Sequence, residues 1–160
     1  MGIEIERKFL VTGEAYKETA SPAVFRQGYL SVESGRTVRV RTYNRKGFIT
    51  IKGKTDSFSR DEFEYEIPFE EAEAMLEKLC IKPLIEKTRY FLDYKGNEWV
   101  VDEFSGVNEG LVVAEIELES EEQVFDRPEW IGNEVTRDKR YANSNLVKNP
   151  YGEWCRFERP

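Results

Sequence analysis

Histidine is absent from all 160 residues of the chain. That absence removes catalytic triads, imidazole acid–base chemistry and histidine-bound metals together. Cysteine is almost absent too: Cys80 and Cys155 have no metal-ligand spacing, and two cysteines do not make a disulfide framework. No apolar run approaches the roughly 18 to 20 residues that a membrane-spanning helix needs. The acidic, alternating first residues do not read as a signal peptide. Repeats, linkers and low-complexity stretches are missing as well. These absences predict one cytoplasmic domain with no membrane partner. A surplus of positive charge is also lacking, since 24 Lys and Arg stand against 31 Asp and Glu for a net charge of -7. Without a basic tail such a chain is a poor binder of nucleic acid. Any chemistry must therefore run on carboxylates, Lys, Arg, Tyr or a bound metal.

What is present is charge of both signs, 34% of all residues, alongside 13% aromatic residues that suit a globular core. The placement of that charge is the informative feature. The segment GIEIERKFLV puts Glu4, Glu6 and Lys8 at alternate positions, and successive side chains of a strand point to opposite faces. The same parity recurs in further segments. Arg39 and Arg41 align against Val38 and Val40, and Lys52 and Lys54 align against Ile49 and Ile51. Glu62, Glu64 and Glu66 oppose Phe63, Tyr65 and Ile67, while Lys87 pairs with Arg89. Asp102 opposes Trp99 and Val101, and Glu115, Glu117 and Glu119 oppose Ala114, Ile116 and Leu118.

A solvated face would mix signs within a strand to limit repulsion. Here acids occupy the first, fifth and eighth segments and bases the third, fourth and sixth. Like charges two apart repel unless something offsets them. Divalent cations would offset the carboxylates, and a polyanion would offset the Lys and Arg groups. The pattern therefore predicts a polar face turned inward rather than a wet surface.

Strands are expected at 3–11, 25–32, 37–43, 48–54, 61–67, 86–93, 98–104 and 112–119, with turns at Ser34-Gly35, Asn44 to Gly47 and Lys95 to Asn97. Between Pro68 and Pro83, Phe69, Ala72, Met75, Leu76 and Leu79 recur at helical spacing. A weaker helix follows Thr136 to about Val147, and short helical turns fit 13–20 and 120–125. The fold class expected is mainly β: an eight-stranded antiparallel barrel with a charged interior and a few covering helices. Cys80, Trp99 and Trp130 read as packing residues, the tryptophans on the barrel exterior.

The ordered set EIERKFLV, RQGYLS, the Arg39-x-Arg41 pair, TIKGK, EFEYEI, KTRY, AEIELES and DKRYANSNL resembles the CYTH superfamily, the triphosphate tunnel metalloenzymes. The likeness spans about residues 3 to 147, inside a single domain placed at 1–150; the tail 151–160 is unassigned. It is most similar to the inorganic triphosphatase branch. Arg137 departs from the glycine many relatives carry, and Trp154 and Phe157 of the tail could cap a tunnel mouth but are expected to pack on the outside.

The resemblance implies a small-molecule triphosphate substrate and Mg²⁺ or Mn²⁺, two ions per site. It implies metal ligands among Glu4, Glu6, Asp102, Glu115 and Glu117, with Glu62 and Glu64 completing the shell or orienting water. Arg39, Arg41, Lys52, Lys87 and Arg89 would hold phosphates. Lys54 stands between phosphate contact and rim, and Arg140 between tunnel and surface. Lys8 and Tyr29 would act near the scissile phosphate, strand parity setting Tyr29 opposite Leu30 and Val32, although a core role for Tyr29 fits its position equally well. Glu66 and Glu119, at strand ends, are expected in solvent. A class IV adenylate cyclase, a thiamine triphosphatase and a non-catalytic polyphosphate or nucleotide binder remain alternatives on the same scaffold, and a homodimer is left open.

Overall fold

A computed structural model of the chain describes residues 2–160. The alternating segments form β1 (Gly2–Val11), β2 (Ser21–Glu33), β3 (Arg36–Tyr43), β4 (Lys46–Lys52), β5 (Ser59–Ile67), β6 (Ile81–Tyr94), β7 (Asn97–Phe104) and β8 (Val112–Glu117). A short β9 (Ile131–Glu134) follows, and the α-helices are α1 (Phe69–Lys78) and α2 (Asn143–Lys148). Neighbouring strands run β5-β4-β3-β2-β6-β7-β8-β1, and β5 pairs back onto β1 to close the barrel. Every pairing is antiparallel. Closure abolishes the free edges that an open sheet would expose.

The turns explain the meander. Asn44 and Arg45 both have positive φ, as do Lys95 and Gly96, and paired left-handed residues twist a two-residue hairpin in the sense its strands require. Helix α1 starts after Pro68, carries Glu70 and Glu71 in its first turn and Lys78 in its last, and buries Ala72 and Leu76. Those two residues pack with Val40 and Cys80 on the outside of the barrel. The helix sits so close that a Cβ on Gly47 would lie 2.6 Å from the Ala72 Cβ. A second outer cluster joins Phe9, Trp99, Ala114 and Ile116 to Tyr16 and Trp130, with Phe125 against it. Tyr16 is delivered by a 3₁₀ turn at Ala15–Glu18.

Five expectations need correction. IGNE shows no alternation, yet it forms β9. It takes the β1 edge beside Phe9 and Val11, beyond Gly2–Ile5 where β5 pairs. The Arg7 guanidinium, turned outward, donates to Glu134 at 2.6 and 2.8 Å and fastens that strand. Residues 120–125 hold a bend and a turn at Ser120 to Glu122 and then irregular chain rather than helix, and β4 stops at Lys52, so Lys54 lies in the loop. A bulge beside Leu30 shifts the β2 register between Tyr29 and Ser31, so Val32 ends on the inner face with Tyr29. Finally, Trp154 packs over one end of the barrel, against Tyr141 and Tyr151, while Phe157 is exposed.

That end is filled by an apolar plug. Tyr29, Ile85, Phe104 and Val113 share strand faces with charged residues further along, and α2 brings Leu146 and Val147 onto them. The barrel is thus closed by apolar side chains at one end, and charged residues predominate along the cavity beyond it.

Candidate active site

A cavity of about 540 Å³ occupies the charged part of the barrel. It is lined by Glu4, Glu6 and Lys8 of β1, Arg39 and Arg41 of β3, Lys52 of β4, Glu62 and Glu64 of β5, Lys87 and Arg89 of β6, and Glu115 and Glu117 of β8. Tyr29 reaches it from beside the plug, and Asn143 at the start of α2 overhangs it. Thirteen of the sixteen residues singled out from the sequence therefore meet in one space.

Three of the expected residues stand elsewhere. Lys54 is exposed outside the strand. Arg140 turns away from the cavity to Asp138, at 2.6 Å, and to the carbonyl of Glu158, with its guanidinium over Trp154. Asp102 is only 1% exposed and lies behind the lining, where Arg89 binds it through two nitrogens at 2.8 and 2.9 Å and Lys87 Nζ approaches to 2.8 Å.

The structure adds residues that sequence reasoning missed. Arg60 lines the cavity, and its Nε lies 3.3 Å from Glu4. It shares parity with Glu62 and Glu64, so the signal is in the sequence, and β5 begins at Ser59, two residues before the expected 61–67. Glu98 and Thr37 have the same parity as their charged strand-mates and also line the wall. Glu119, expected in solvent, is exposed but reaches the cavity rim. Asn143 had no signal, because its carbonyl oxygen meets Lys87 and Gln27, at 3.0 and 2.9 Å, only through the fold.

The electrostatics follow from burying many charges together. Burial alone would raise the Glu4 carboxyl. Lys52 at 2.8 Å, the Glu62 hydrogen bond and Arg60 together hold it well below the usual range instead. Burial also opposes ionisation of Asp102, and Arg89 and Lys87 overcome it. Two cations around one carboxylate are not equally served, and desolvation pushes Lys87 down to about 7. Lys8 shows the reverse balance: Glu115 and Glu6, each 3.9 Å away, outweigh its burial and raise it. Glu6 is pushed up to about 7 by burial and by the neighbouring charges of Glu115 and Glu4. Glu117 is raised for the same reasons, burial first and Glu4 next.

Could these carboxylates hold a cation? Among the described residues no three acidic groups are already gathered around one point. Glu4 and Glu115 aim instead at Lys52, Arg60, Lys8 and Arg89. Glu6, partly buried, and Glu117, exposed on the cavity wall, nonetheless have carboxyls pushed upward by burial and by neighbouring acids, and hard carboxylate oxygens suit Mg²⁺ or Mn²⁺. The donor set fits a hard divalent cation.

Residues 2–151 match the CYTH domain. The chain belongs to the CYTH family. Within that family it is 58% identical over 151 residues to an inorganic triphosphatase of Acetivibrio thermocellus, covering 94% of this chain and 97% of that protein. It is 38% identical over 149 residues to an inorganic triphosphatase of Nitrosomonas europaea, covering 90% and 96%. Among solved structures it is similar to the inorganic triphosphatase NE1496, with a TM-score of 0.62, 34% identity and coverage of 90% and 93%. No helix among the described residues is long and apolar enough to cross a membrane. The CYTH barrel here thus holds a charged cavity beside an apolar plug, with its apolar outer faces partly covered by α1 and the aromatic cluster.

Proposed function

We propose that this protein hydrolyses inorganic triphosphate to phosphate and diphosphate inside the barrel, with Mg²⁺ or Mn²⁺ and two ions per site. The observation that carries the reading is the convergence of Lys8, Arg39, Arg41, Lys52, Lys87 and Arg89 with the β1, β5 and β8 carboxylates in one cavity. Curated relatives named inorganic triphosphatase, covered almost end to end, support it.

Phosphoryl transfer needs its phosphate charge neutralised and its nucleophile positioned, with little covalent work for the protein. Arg39 and Arg41 share the Glu64 carboxylate at 3.4 and 3.6 Å, loose contacts that leave guanidinium donors for phosphate oxygens. Arg89 and Lys87 are held in place by Asp102, so Asp102 acts on phosphate through them and not from the lining. Glu4, Glu6, Glu115 and Glu117 would hold the cations, with Glu62 and Glu64 beside them. A bound cation supplies charge neutralisation and a lowered pKa for water. Lys8 stays protonated because Glu115 and Glu6 outweigh its burial, so it binds charge on the phosphoryl oxygens and does not act as a base. Tyr29 offers its hydroxyl to the cavity beside the plug, where Gln27 Nε2 lies 3.4 Å away.

The test is product release from tripolyphosphate, ATP and thiamine triphosphate, with each metal and with EDTA. Orthophosphate from tripolyphosphate, lost in EDTA, is the expected result. Cyclic AMP as the main product from ATP would instead identify a cyclase, and binding without phosphate release would identify a non-catalytic module.

A further inference from the structure

Not every inward residue of the charged region carries a charge, and Phe25 is one that lies between two of its arginines. Phe25 sits on β2 in line with Gln27 and Tyr29, is 1% exposed, and lies between strands that bring Arg39, Arg41, Lys87 and Arg89 inward. Its neighbours explain it. From β3 on one side the Arg41 guanidinium lies 5.3 Å from the ring centre, and from β6 on the other side that of Arg89 lies at 5.1 Å. The Tyr43 ring stacks on Phe25 at 4.3 Å, 9° from parallel, and itself lies 5.8 Å from Arg41.

The two arginines differ in what else holds them. Arg89 is fixed by its two-point contact with Asp102. Arg41 has only a 3.6 Å approach to Glu64, and its buried Nε has no hydrogen-bond partner. A guanidinium this weakly paired needs another source of orientation, and an aromatic face provides one through the ring quadrupole. A ring holds the cation without satisfying its N–H donors in the plane, so those donors stay open to phosphate oxygens. A carboxylate in the same place would have to be displaced before phosphate could bind.

We infer that Phe25, backed by Tyr43, is a positioning residue that presents the weakly paired Arg41 as an anchor for a phosphate group of the substrate. The inference rests on the triphosphatase reading and deepens it. Phe25 touches no substrate; it acts on binding through the two guanidiniums.

Phe25→Leu removes the face while keeping an apolar side chain, and Phe25→Met fills more of the volume should leucine fold poorly. In steady-state hydrolysis of tripolyphosphate with Mg²⁺, either variant is expected to raise KM about five- to thirtyfold, with kcat changed less than about threefold. Against an Arg41→Lys background, which already lacks the planar fork, Phe25→Leu should raise KM by less than about twofold. A barrel merely loosened by a cavity would lower kcat or the melting temperature without that split, and would do so equally in both backgrounds. Either an unchanged KM or equal effects in the two backgrounds overturns the inference. Wild-type protein that releases no phosphate from tripolyphosphate would overturn the triphosphatase reading itself, a distinct outcome.

Discussion

Glu6 is the residue at which stability and function oppose each other most openly. Its carboxylate lies near Glu4 and Glu115 in a buried site, and its nearest ion-pair contact is Lys8 at 3.9 Å. Replacing it with the neutral Glu6→Gln removes that repulsion. Without added metal the variant should be more stable by on the order of 1–3 kcal/mol, seen as a higher Tm. It should also lose at least about tenfold in metal-dependent hydrolysis. A variant that is both less stable and fully active would show that Glu6 is an ordinary buried acid. Arg60 lies outside the expected 61–67 for a purely local reason, since β5 begins two residues earlier at Ser59. The resemblance implies a metal-ligand role for Asp102, and parity, which shows only the face a residue shares, does not reveal that its neighbours already hold it. Its partners Lys87 and Arg89 sit across the sheet from it, where register alone brings them within reach.

The elements are fastened by contacts that can be tested one at a time. Helix α1 approaches β4 through Gly47, where a Cβ would meet Ala72 and the Ile67 carbonyl, 3.1 Å away. Gly47→Val should therefore push the helix off the sheet and cost about 1–3 kcal/mol, measurable in urea unfolding. An unchanged midpoint would mean that the helix moves freely. Strand β9 depends on Arg7, whose hydrogen bonds hold the Glu134 carboxyl below the usual range against a smaller effect of burial. A depressed native value contributes stability above the unfolded carboxylate pKa and loses it as pH falls through the native one. The wild type should thus lose Tm more steeply than Glu134→Gln between about pH 5 and 3. Parallel acid profiles would deny the pair a role. No alternation marks β9 because its few residues lie on the barrel's seam and serve to complete an edge that β5 leaves open.

At the scale of the whole molecule, the cavity stores opposed charges that pair with one another in the absence of ligand. Lys52 and Arg60 hold Glu4, and Lys8 lies between Glu6 and Glu115. Cation and triphosphate together can satisfy both sets, so each should favour the other. Triphosphate with a divalent cation at a hundredfold excess over Kd should stabilise the fold by about 2.7 kcal/mol, a Tm rise of roughly 5–10 °C. Calcium is the cation to use where turnover must be slow, because its looser coordination positions a nucleophile less strictly. EDTA should remove most of the shift, and ATP should give a smaller one. A shift of the same size in EDTA would place all the binding energy on the bases.

Alternating charge determined that the chain folds as a barrel with its acids and bases facing inward, because strand parity is a local property that one-dimensional reading captures. Length, the hairpin residues and the spacing of Phe69 to Leu79 likewise determined the meander and α1. The tertiary structure alone decided which inward charges stay open to a ligand. Asp102 is taken by Lys87 and Arg89, Lys54 falls beyond the end of β4, and Arg140 turns to Asp138. It also decided that one end is closed, since Tyr29, Phe104 and Val113 meet α2 and Trp154 from opposite ends of the chain. These are long-range outcomes of barrel register, a bulge in β2 and the path of the tail. Parity sets the face a side chain takes, but only the closed sheet sets what it meets there.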